Sequence, residues 1–324
     1  MKDIPYTGPR AELATLTGSP LWGWPIPEIT RRTVANGWTL LDECRPETPY
    51  GIGPIVQSYR ATNGRTVMRI PTYGWTANKD WWQHRDNERT WWVLWQAGIK
   101  VLLVGGTCGV ADWREGKDRV LPGDVVLPSS FETHFLEHRG LPGTPHEAPW
   151  PDYDMLLNEP FCPELRQTLV TALMPFVQQG KIRRLHTPAE VRAALIMPTT
   201  VTYESDYDIE TRMALSWVMS QRRPGKPPWI TLHGDCVNPI LARSLGIHLA
   251  YYQCVANFAQ GTSDESMTES IYDLYTKVFP EVALAMECSF LDNVRLPEGD
   301  ACACKAGKVQ APPEFSQSMC QAVD

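Results

Sequence analysis

The sequence predicts an α/β fold, in which the helices of a single domain cover a mainly parallel β-sheet. Apolar segments typical of strands alternate with segments of helical periodicity along the 324 residues. No repeat, low-complexity block or long polar linker divides them. With 43% hydrophobic residues, a chain of this length can bury one large core. We therefore expect one domain over residues 1–295 and a loosely ordered tail over 296–324, which is rich in Pro, Gly and small residues.

The elements are predicted from residue type and from the residues at their ends. Asp86 and Pro163 are typical of helix starts, whereas Gly98 and Gly180 are typical of helix ends. The predicted helices lie at 86–98, 162–180, 209–221, 238–246 and 265–289. The predicted strands lie at 11–18, 66–74, 101–104, 119–128 (a strand pair around a Pro-Gly turn), 227–235 and 247–261.

Charge and hydropathy limit the partners that the chain can have. The formal net charge is −7 and no stretch is strongly basic, so neither a nucleic-acid polymer nor an anionic membrane surface is an expected partner. No apolar run approaches the roughly 18 residues of a membrane span, and the first residues lack the apolar core of a signal peptide. We expect a cytoplasmic protein that binds a small molecule.

The cysteines indicate neither a disulfide framework nor a metal site. There are nine, an odd number, and their spacing is irregular, so we expect most of them to be reduced and buried. Cys302 and Cys304 are too close for the CxxC pattern of a zinc site, and no pair of histidines at ligand spacing accompanies them. We therefore expect no bound metal.

Tryptophan is unusually frequent, and its distribution is uneven. Six of the 13 tryptophans fall within residues 75–95. Such a cluster can form a binding platform, but packing of a helix and of the segment before it is the commoner use of large aromatic side chains. We expect this segment to pack against the core.

Small and polar residues lie at the carboxyl ends of three of the predicted strands, at 105–109, 233–235 and 256–259. Ligands of open α/β sheets bind beyond the carboxyl ends of strands, so these segments are the predicted walls of a site. The first segment, GGTCG, lacks the GxGxxG spacing of a dinucleotide-binding turn. It contains Cys108, but no neighbour in the sequence is suited to activate its thiol, which favours a small buried cysteine over a nucleophile.

Two polar residues at strand ends each allow two interpretations. Asp235 is either the N-cap of the following helix or a catalytic carboxylate. Asn257 follows a largely apolar stretch, where an unpaired amide is costly, so it either caps a turn or contacts a ligand. A purine presents a donor and an acceptor side by side, which an Asn side chain matches.

Five stretches of the sequence, taken together and in order, indicate a protein family more specifically than any one of them does alone. They are VLLVGGTCG, VLPGDVVLPSSF, NEPFCPELRQTL, ILARSLGI and VANFAQG. In this order, over roughly residues 11–290, the sequence resembles the trimeric branch of the nucleoside phosphorylase family, the purine nucleoside and methylthioadenosine phosphorylases. The resemblance implies a mixed β-sheet, partly barrel-like, that is flanked by helices in a three-layer α/β fold.

The resemblance also implies an activity, the cleavage or formation of the N-glycosidic bond of a purine-type nucleoside. Phosphorolysis to the free base and a sugar 1-phosphate is the favoured reaction, with phosphate as co-substrate, no cofactor and a homotrimeric assembly. Two alternatives stay open. One is a phosphate-independent hydrolase or another ribosyl-transfer or rearrangement enzyme, in which Asp235 positions water, and the other is a non-catalytic nucleoside-binding protein.

Carried over by position, the resemblance assigns residues to the sugar and the base. Thr107, Cys108 and Gly109 run beside both, and the glycines of this loop leave room for a ligand close to the backbone. His233 falls where the family usually has a methionine under the ribose. Asn257 matches the side chain that meets N7 and the 6-substituent of the base, and it is also a candidate catalytic residue.

The segment at 206–214 resembles the part of the family that covers the base. Tyr207 is the expected stacking ring, with Ile209 as its alternative, and Glu210 is expected opposite Asn257. That carboxylate and amide pair favours 6-oxopurines in the purine nucleoside branch, whereas the methylthioadenosine branch has small and acidic residues there. The subfamily is therefore left open.

The nucleophile site is where the sequence departs most from the family. Gly18–Ser19 keep the first turn, but the family's Arg-His pair is replaced by Thr72–Tyr73 and its Ser/Thr region by Gly234–Asp235. Loss of a guanidinium and gain of a carboxylate weaken the binding of a dianion, because charge-assisted hydrogen bonds are the strong ones. The arginines that could compensate are Arg69, Arg85 and Arg89.

Overall fold

The computed structural model describes most of the chain. The described residues are 4–71, 84–131, 153–155, 159–196, 206–234, 239–259, 261–262, 269–297, 302 and 308–310. They form a mixed β-sheet with helices on both of its faces, which confirms the predicted fold class.

The elements follow one another in a mixed order of strands and helices. The strands are β1 (Leu13–Thr17), β2 (Thr39–Cys44), β3 (Glu47–Thr48), β4 (Gly51–Ile52), β5 (Val56–Arg60), β6 (Thr66–Pro71), β7 (Val101–Ala111), β8 (Val125–Val126), β9 (Ser130–Phe131), β10 (Tyr153–Met155), β11 (Leu185–His186), β12 (Arg192–Ile196), β13 (Trp229–Gly234), β14 (His248–Phe258) and β15 (Lys308–Gln310). The helices are α1 (Ile26–Ala35), α2 (His84–Ala97), α3 (Pro163–Gln178), α4 (Asp206–Gln221), α5 (Pro239–Ser244), α6 (Glu269–Asp273) and α7 (Phe279–Asn293).

The strand β7 is the centre of an 11-stranded sheet. Eight strands follow the order β11-β8-β14-β7-β1-β6-β5-β2, and β13, β12 and β9 branch from β7. β14 pairs in parallel along nearly the whole of β7, whereas β1 pairs only with its first half and β13, antiparallel, with its second half. This exchange of neighbours brings the ends of β13 and β14 to the second half of β7.

Two apolar clusters, one on each face of the sheet, form the core. Alternate residues of β7 point to opposite faces, as the pleat of a strand requires. Val101 and Leu103 belong to the cluster that includes residues of α1, α3 and α7. Leu102 and Val104 belong to the cluster that includes residues of α2 and α5. The arrangement confirms the predicted three layers.

Most of the predicted elements are confirmed, with four corrections. The strand predicted at 101–104 continues as β7 to Ala111, so residues 105–109 lie within the strand and not in a loop after it. The segment 119–128 contains one short strand, β8, rather than a strand pair, although Gly123 does make a turn with φ +89°. Asp86 is not an N-cap, because α2 already includes His84. The predicted helix at 265–289 is interrupted by a π-helical turn, Leu274–Val278, between α6 and α7.

The described tryptophans of the 75–95 segment pack in the core. Trp91 and Trp92 are buried in the cluster that contains residues of α2, and Trp95 packs against it half-buried. This confirms the packing interpretation for these three. Trp75, Trp81 and Trp82 lie outside the described residues.

Six cysteines are described, and none of the six is in a disulfide. Five of them are buried, and Cys44 is half-buried, as the sequence predicted. Among the described helices, none is long and apolar enough to cross a membrane. Beyond Leu296, β15 pairs antiparallel with β10, and Cys302 is buried. The boundary at residue 296 and the loosely ordered tail stay predictions.

Candidate active site

Three neighbouring strands bring predicted site residues to one level. In the pairing register Gly109 of β7 lies opposite His233 of β13 on one side and opposite Asn257 of β14 on the other. A Cβ atom added at Gly109 would lie 3.2 Å from Nδ2 of Asn257 and 3.3 Å from Cα of Ala259. Residues that are more than 120 positions apart in the sequence thus meet because β7 has two different neighbours here.

Two residues before Gly109, three hydroxyl groups are linked in what we call the Thr107 cluster, which consists of Ser19, Thr107 and Tyr275. The backbone N–H of Thr107 donates a hydrogen bond to Oγ of Ser19 at 2.8 Å. Oγ1 of Thr107 and Oη of Tyr275 share a hydrogen bond at 2.9 Å. Ser19 follows Gly18, whose backbone N–H donates to the carbonyl of Gly105 at 3.2 Å, so the first turn is held against β7.

Tyr275 was not predicted as a site residue. It lies in the π-helical turn, and its ring also makes edge contacts with Trp22 and Phe279. Single π-helical turns are frequent at functional sites, since the extra residue re-aims a side chain. In the sequence this segment shows only the periodicity of an ordinary helix, so nothing in the pattern marks the turn.

Asn257 is half-buried, and its side-chain amide forms a hydrogen bond with the next residue. Nδ2 donates a hydrogen bond to the backbone carbonyl of Phe258 at 2.6 Å. With Nδ2 held in this way, Oδ1 is the atom that can accept a hydrogen bond from a ligand. The two interpretations of Asn257, a turn contact and a ligand contact, are therefore compatible.

His233 is half-buried at the end of β13, and burial lowers its pKa to about 4. The imidazole is therefore neutral near pH 7, because transfer into the protein penalises the charged form. A neutral ring does not repel a positive charge that develops beside it.

Cys108 is not a nucleophile. Its side chain is 3% exposed, and burial raises the pKa of its thiol well above the ordinary value of 9.0. The thiolate is the reactive form of cysteine, and here it is disfavoured. The preference for a small buried cysteine is confirmed.

The glycines of β7 have different surroundings. A Cβ at Gly105 would lie 2.2 Å from Oη of Tyr252, and one at Gly106 would lie 2.6 Å from Nε2 of Gln253. Side chains of the neighbouring strand β14 therefore fill the space over these two glycines, which corrects the expectation that a ligand occupies it. The backbone at Gly109 faces Asn257 instead.

Tyr252, whose side chain lies over Gly105, contacts a buried ion pair between Arg69 and Glu287. We call these three residues, Arg69, Tyr252 and Glu287, the Arg69 cluster. Nη1 of Arg69 donates to Oε2 of Glu287 at 2.8 Å, and both side chains are fully buried. Oη of Tyr252 donates to Oε1 of Glu287 at 2.9 Å. Nε and Nη2 of Arg69 have no hydrogen-bond partner among the described residues.

The compensating arginines proposed from the sequence are therefore mostly engaged elsewhere. Arg69 is paired with Glu287, so it is not available to a phosphate at the first turn. Nε of Arg89 donates to the carbonyl of Tyr50 at 3.0 Å. The side chain of Arg85 lies outside the described part of the structure.

The start of α4 differs from the expected base cover. Ile209 is buried and packs with Ala111 and Ala259, whereas Tyr207 is 78% exposed. Glu210 is exposed, and no hydrogen bond joins it to Asn257 in the described structure. Because Ile209 takes the inward position on this helix, its neighbours point away, and the structure brings neither Tyr207 nor Glu210 to the strand ends.

The remaining predicted positions divide between described and undescribed residues. Gly234 ends β13 opposite Cys108, so it lies at the level of the strand ends. Thr72, Tyr73 and Asp235 lie outside the described residues.

A cleft lies near the amino ends of β12 and β13, away from the predicted site. Its volume is about 690 Å³, and Glu159 is one of its lining residues. Its cationic lining residues are Arg166, Arg192, Arg223 and Lys226. Burial and the charge of Arg223 lower the pKa of Arg192. None of the predicted site residues that the structure describes lines this cleft.

The chain is similar to two proteins with curated names. It is 35% identical over 120 residues, 34% of this chain and 43% of the relative, to a probable S-methyl-5′-thioinosine phosphorylase of Methanopyrus kandleri. The match therefore spans less than half the length of that relative. It is 24% identical over 228 residues, 68% of this chain and 75% of the relative, to a 6-oxopurine nucleoside phosphorylase of Pyrococcus furiosus. No model of a known protein family matches the sequence.

Solved structures show the same fold. A methylthioadenosine phosphorylase from an Antarctic soil metagenomic library superposes with a TM-score of 0.63 at 14% identity, over 95% of both chains. A mutant of the adenosine/methylthioadenosine phosphorylase of Schistosoma mansoni superposes with a TM-score of 0.63 at 15% identity, over 92% of this chain and 96% of that chain. An identity this low shows the fold alone. The chain therefore has the fold of the nucleoside phosphorylases, and parts of its sequence are similar to two proteins with nucleoside phosphorylase names.

Proposed function

We propose that the chain is an enzyme that cleaves the N-glycosidic bond of a purine nucleoside by phosphorolysis. The observation that carries the proposal is the meeting of Asn257, Gly109 and His233 on three adjacent strands. The names of the two curated relatives, a thioinosine phosphorylase and a 6-oxopurine nucleoside phosphorylase, support the same substrate class.

The base and the sugar would lie along β7. Because Nδ2 of Asn257 donates to the carbonyl of Phe258, Oδ1 would accept a hydrogen bond from a 6-amino group or from a protonated N7 and so stabilise the departing base. Neutral His233 and the backbone of Gly109 would border the ribose. These contacts let the C1′–N9 bond break while positive charge develops on the sugar.

The nucleophile would enter at the Thr107 cluster. Oγ of Ser19 accepts a hydrogen bond from the backbone N–H of Thr107, and the Ser19 hydroxyl would donate its own proton to an oxygen of phosphate. An oxygen of phosphate would form the new bond to C1′ as the bond to N9 breaks, the electron pair of that bond would stay on the base, and the base would take a proton at N7 from solvent water. Gly18, Thr72, Tyr73 and Gly234 remain the proposed positions around the phosphate.

A hydrolase is the second candidate, and one observation favours it. Arg69, which could have replaced the family's arginine, is paired with Glu287 in the core. A site with less positive charge binds a dianion weakly, whereas water needs only a positioned base, and Asp235 is the proposed one.

We further propose a cytoplasmic homo-oligomer, a trimer by analogy with the family branch that the sequence resembles. The assembly is supported by exposed apolar side chains on one helix, since monomers rarely expose large apolar patches. These side chains, all on α4, are Leu215, Trp217, Val218 and Met219. The described cysteines, none of them in a disulfide, fit a reducing compartment. Phosphate is the proposed co-substrate, and no cofactor is proposed.

The reaction is tested by incubation with inosine, guanosine and methylthioadenosine, each with and without phosphate, followed by chromatography of the free base. Release that requires phosphate is the expected result. Release at the same rate without phosphate would show the hydrolase instead. Tight binding without release would show a binding protein and overturn both enzymatic proposals.

The base contact is tested with Asn257→Ala. We expect at least a tenfold lower kcat/KM, equal to about 1.4 kcal/mol of lost transition-state stabilisation. Asn36→Ala is the matched control, because Asn36 also donates Nδ2 to a nearby backbone carbonyl, that of Arg32, but lies at the end of α1. Equal kinetics of the two variants would contradict the role of Asn257.

A further inference from the structure

Three potential metal ligands meet in the core although they are far apart in the sequence. Sγ of Cys162 lies 3.6 Å from Nδ1 of His248 and 3.4 Å from Sγ of Cys302. All three ligand atoms lie within 4.8 Å of one another. The three residues are 2%, 3% and 1% exposed, respectively, so the group is closed to solvent.

Each residue is held by a different part of the fold. Cys162 directly precedes α3, and its backbone N–H donates to the carbonyl of Leu249 at 2.7 Å. His248 is the first residue of β14, and its backbone N–H donates to the carbonyl of Lys100, also at 2.7 Å. Cys302 comes from the chain beyond α7. The backbone therefore fixes two of the ligands independently of any side-chain contact.

The two distances from Sγ of Cys162 are close to the edges of a tetrahedral site. With bonds of about 2.3 Å to sulfur and 2.0–2.1 Å to nitrogen, a tetrahedral zinc ion places two sulfurs about 3.8 Å apart and a sulfur and a nitrogen about 3.6 Å apart. The observed sulfur–nitrogen distance of 3.6 Å equals this edge, and the sulfur–sulfur distance of 3.4 Å is slightly shorter. A disulfide requires about 2.05 Å between the sulfurs.

We propose that Cys162, His248 and Cys302 bind one zinc-like divalent ion. Two thiolates and an imidazole are the ligand set that zinc prefers, and binding would release the two thiol protons. A fourth donor would complete the tetrahedron. Cys162 and Cys302 belong to an apolar cluster, where a metal compensates polar ligands that water cannot reach. Sequence analysis led to the opposite expectation because no two of these residues are close in the chain.

The ion would be structural rather than catalytic. His248 begins β14 and Asn257 lies nine residues further along the same strand, a separation of about 30 Å at 3.3 Å per residue. A closed site at that distance cannot touch the substrate. It would fasten the start of α3, the start of β14 and the chain around Cys302 to one another. The inference does not depend on the proposed function.

The test is the metal content and the cobalt spectrum of the full chain. Purified without chelator, the protein should contain one zinc ion per chain. After removal of zinc under reducing conditions, one equivalent of Co²⁺ should give the thiolate charge-transfer bands and the visible bands of a tetrahedral site. Zinc should abolish these bands and raise Tm above that of the chelated protein.

Variants assign the ligands. Cys162→Ser, Cys302→Ser and His248→Gln should each weaken or shift the cobalt bands, whereas Cys44→Ser, at a half-buried cysteine elsewhere, should leave them unchanged. Bands that persist unchanged in the first three variants would overturn the assignment. The cobalt and zinc measurements on the unmodified chain stand even if a variant fails to fold. Substoichiometric zinc without cobalt bands, or a Cys162–Cys302 disulfide found by peptide mapping of the purified protein, would overturn the proposal itself.

Discussion

The Arg69 cluster lies against Gly105 of β7, whereas the Thr107 cluster lies two residues further along this strand, and the two differ in charge and burial. In the Arg69 cluster, a guanidinium and a carboxylate form an ion pair that is fully buried. Gly105 of β7 has no side chain, and Tyr252 occupies the space that this leaves. The Thr107 cluster contains only hydroxyl and backbone groups at the level where the strands diverge. The charged side chains, Arg69 and Glu287, are thus buried, whereas the groups at the candidate site are neutral hydroxyls that can rotate to a new hydrogen-bond partner.

The difference shows what each part of β7 contributes. A buried ion pair is costly to break, because a single change leaves the other charge unpaired. Neutral hydroxyl pairs contribute little to stability, but they can exchange their partners with a ligand. Changes in the Arg69 cluster should therefore act on folding, and changes in the Thr107 cluster on activity.

The largest effect is expected for Glu287→Gln. The variant leaves the buried guanidinium of Arg69 without a counter-charge, so the free energy of unfolding should fall by about 3–5 kcal/mol in urea titrations. The matched control is Glu281→Gln on the same helix, whose exposed pair with Lys181 should contribute less than about 1 kcal/mol. Equal losses in the two variants would contradict the importance of the buried pair.

The next effect is expected at the glycines of β7. The methyl group of Gly105→Ala would meet Oη of Tyr252 at 2.2 Å, which should destabilise the fold by about 1–3 kcal/mol. At Gly109 the nearest atom is 3.2 Å away, so Gly109→Ala should cost less in stability and more in activity. Urea titration and kcat/KM of both variants separate the two glycines, and a reversed order of the two losses would refute the distinction.

A smaller effect is expected from His233 through pH. Its pKa is about 4 in the folded chain, against 6.5 for an ordinary histidine, so the unfolded chain binds more protons between these two values. Stability should therefore fall as the pH is lowered from 6.5 through 4, and His233 contributes at most about 3 kcal/mol of that loss. His233→Gln should flatten the dependence in unfolding curves at pH 7 and pH 5, and an unchanged slope would show that other groups produce it.

The layers of the fold could be predicted from the sequence because their signals are local. The β7 and β14 segments are continuous apolar runs, and Gly98 and Gly180 end their helices with positive φ, as expected. The branch at β7, with β13 on one side and β14 on the other, depends on pairings between distant segments. No local pattern encodes such a pairing.

The candidate site could be predicted only in part, for the same reason. Strand-end positions such as Gly109 and Asn257 follow from the rule that ligands bind at strand ends. The same rule does not predict what fills the space over Gly105. A glycine leaves room, but the sequence does not indicate whether a ligand or Tyr252 occupies that room. Nor does the sequence show that Ile209, rather than Tyr207, is the inward residue of α4.

The smallest effect on stability, and the sharpest separation of the two clusters, is expected for Tyr275→Phe. The change removes the hydroxyl that is 2.9 Å from Oγ1 of Thr107 and keeps the ring against Trp22 and Phe279, so unfolding should become easier by only about 0.5–1.5 kcal/mol. Release of the base with phosphate should nevertheless slow by about tenfold, because Thr107 loses the partner that orients its hydroxyl.

Tyr272→Phe is the matched control for that variant. Tyr272 lies one turn earlier, and its side chain is 67% exposed, so loss of its hydroxyl should change neither stability nor rate. If Tyr275→Phe behaves like Tyr272→Phe, the Thr107 cluster is only part of the packing. If instead Tyr275→Phe lowers kcat/KM while its unfolding curve stays close to that of the unmodified chain, activity depends on the Thr107 cluster and stability on the Arg69 cluster.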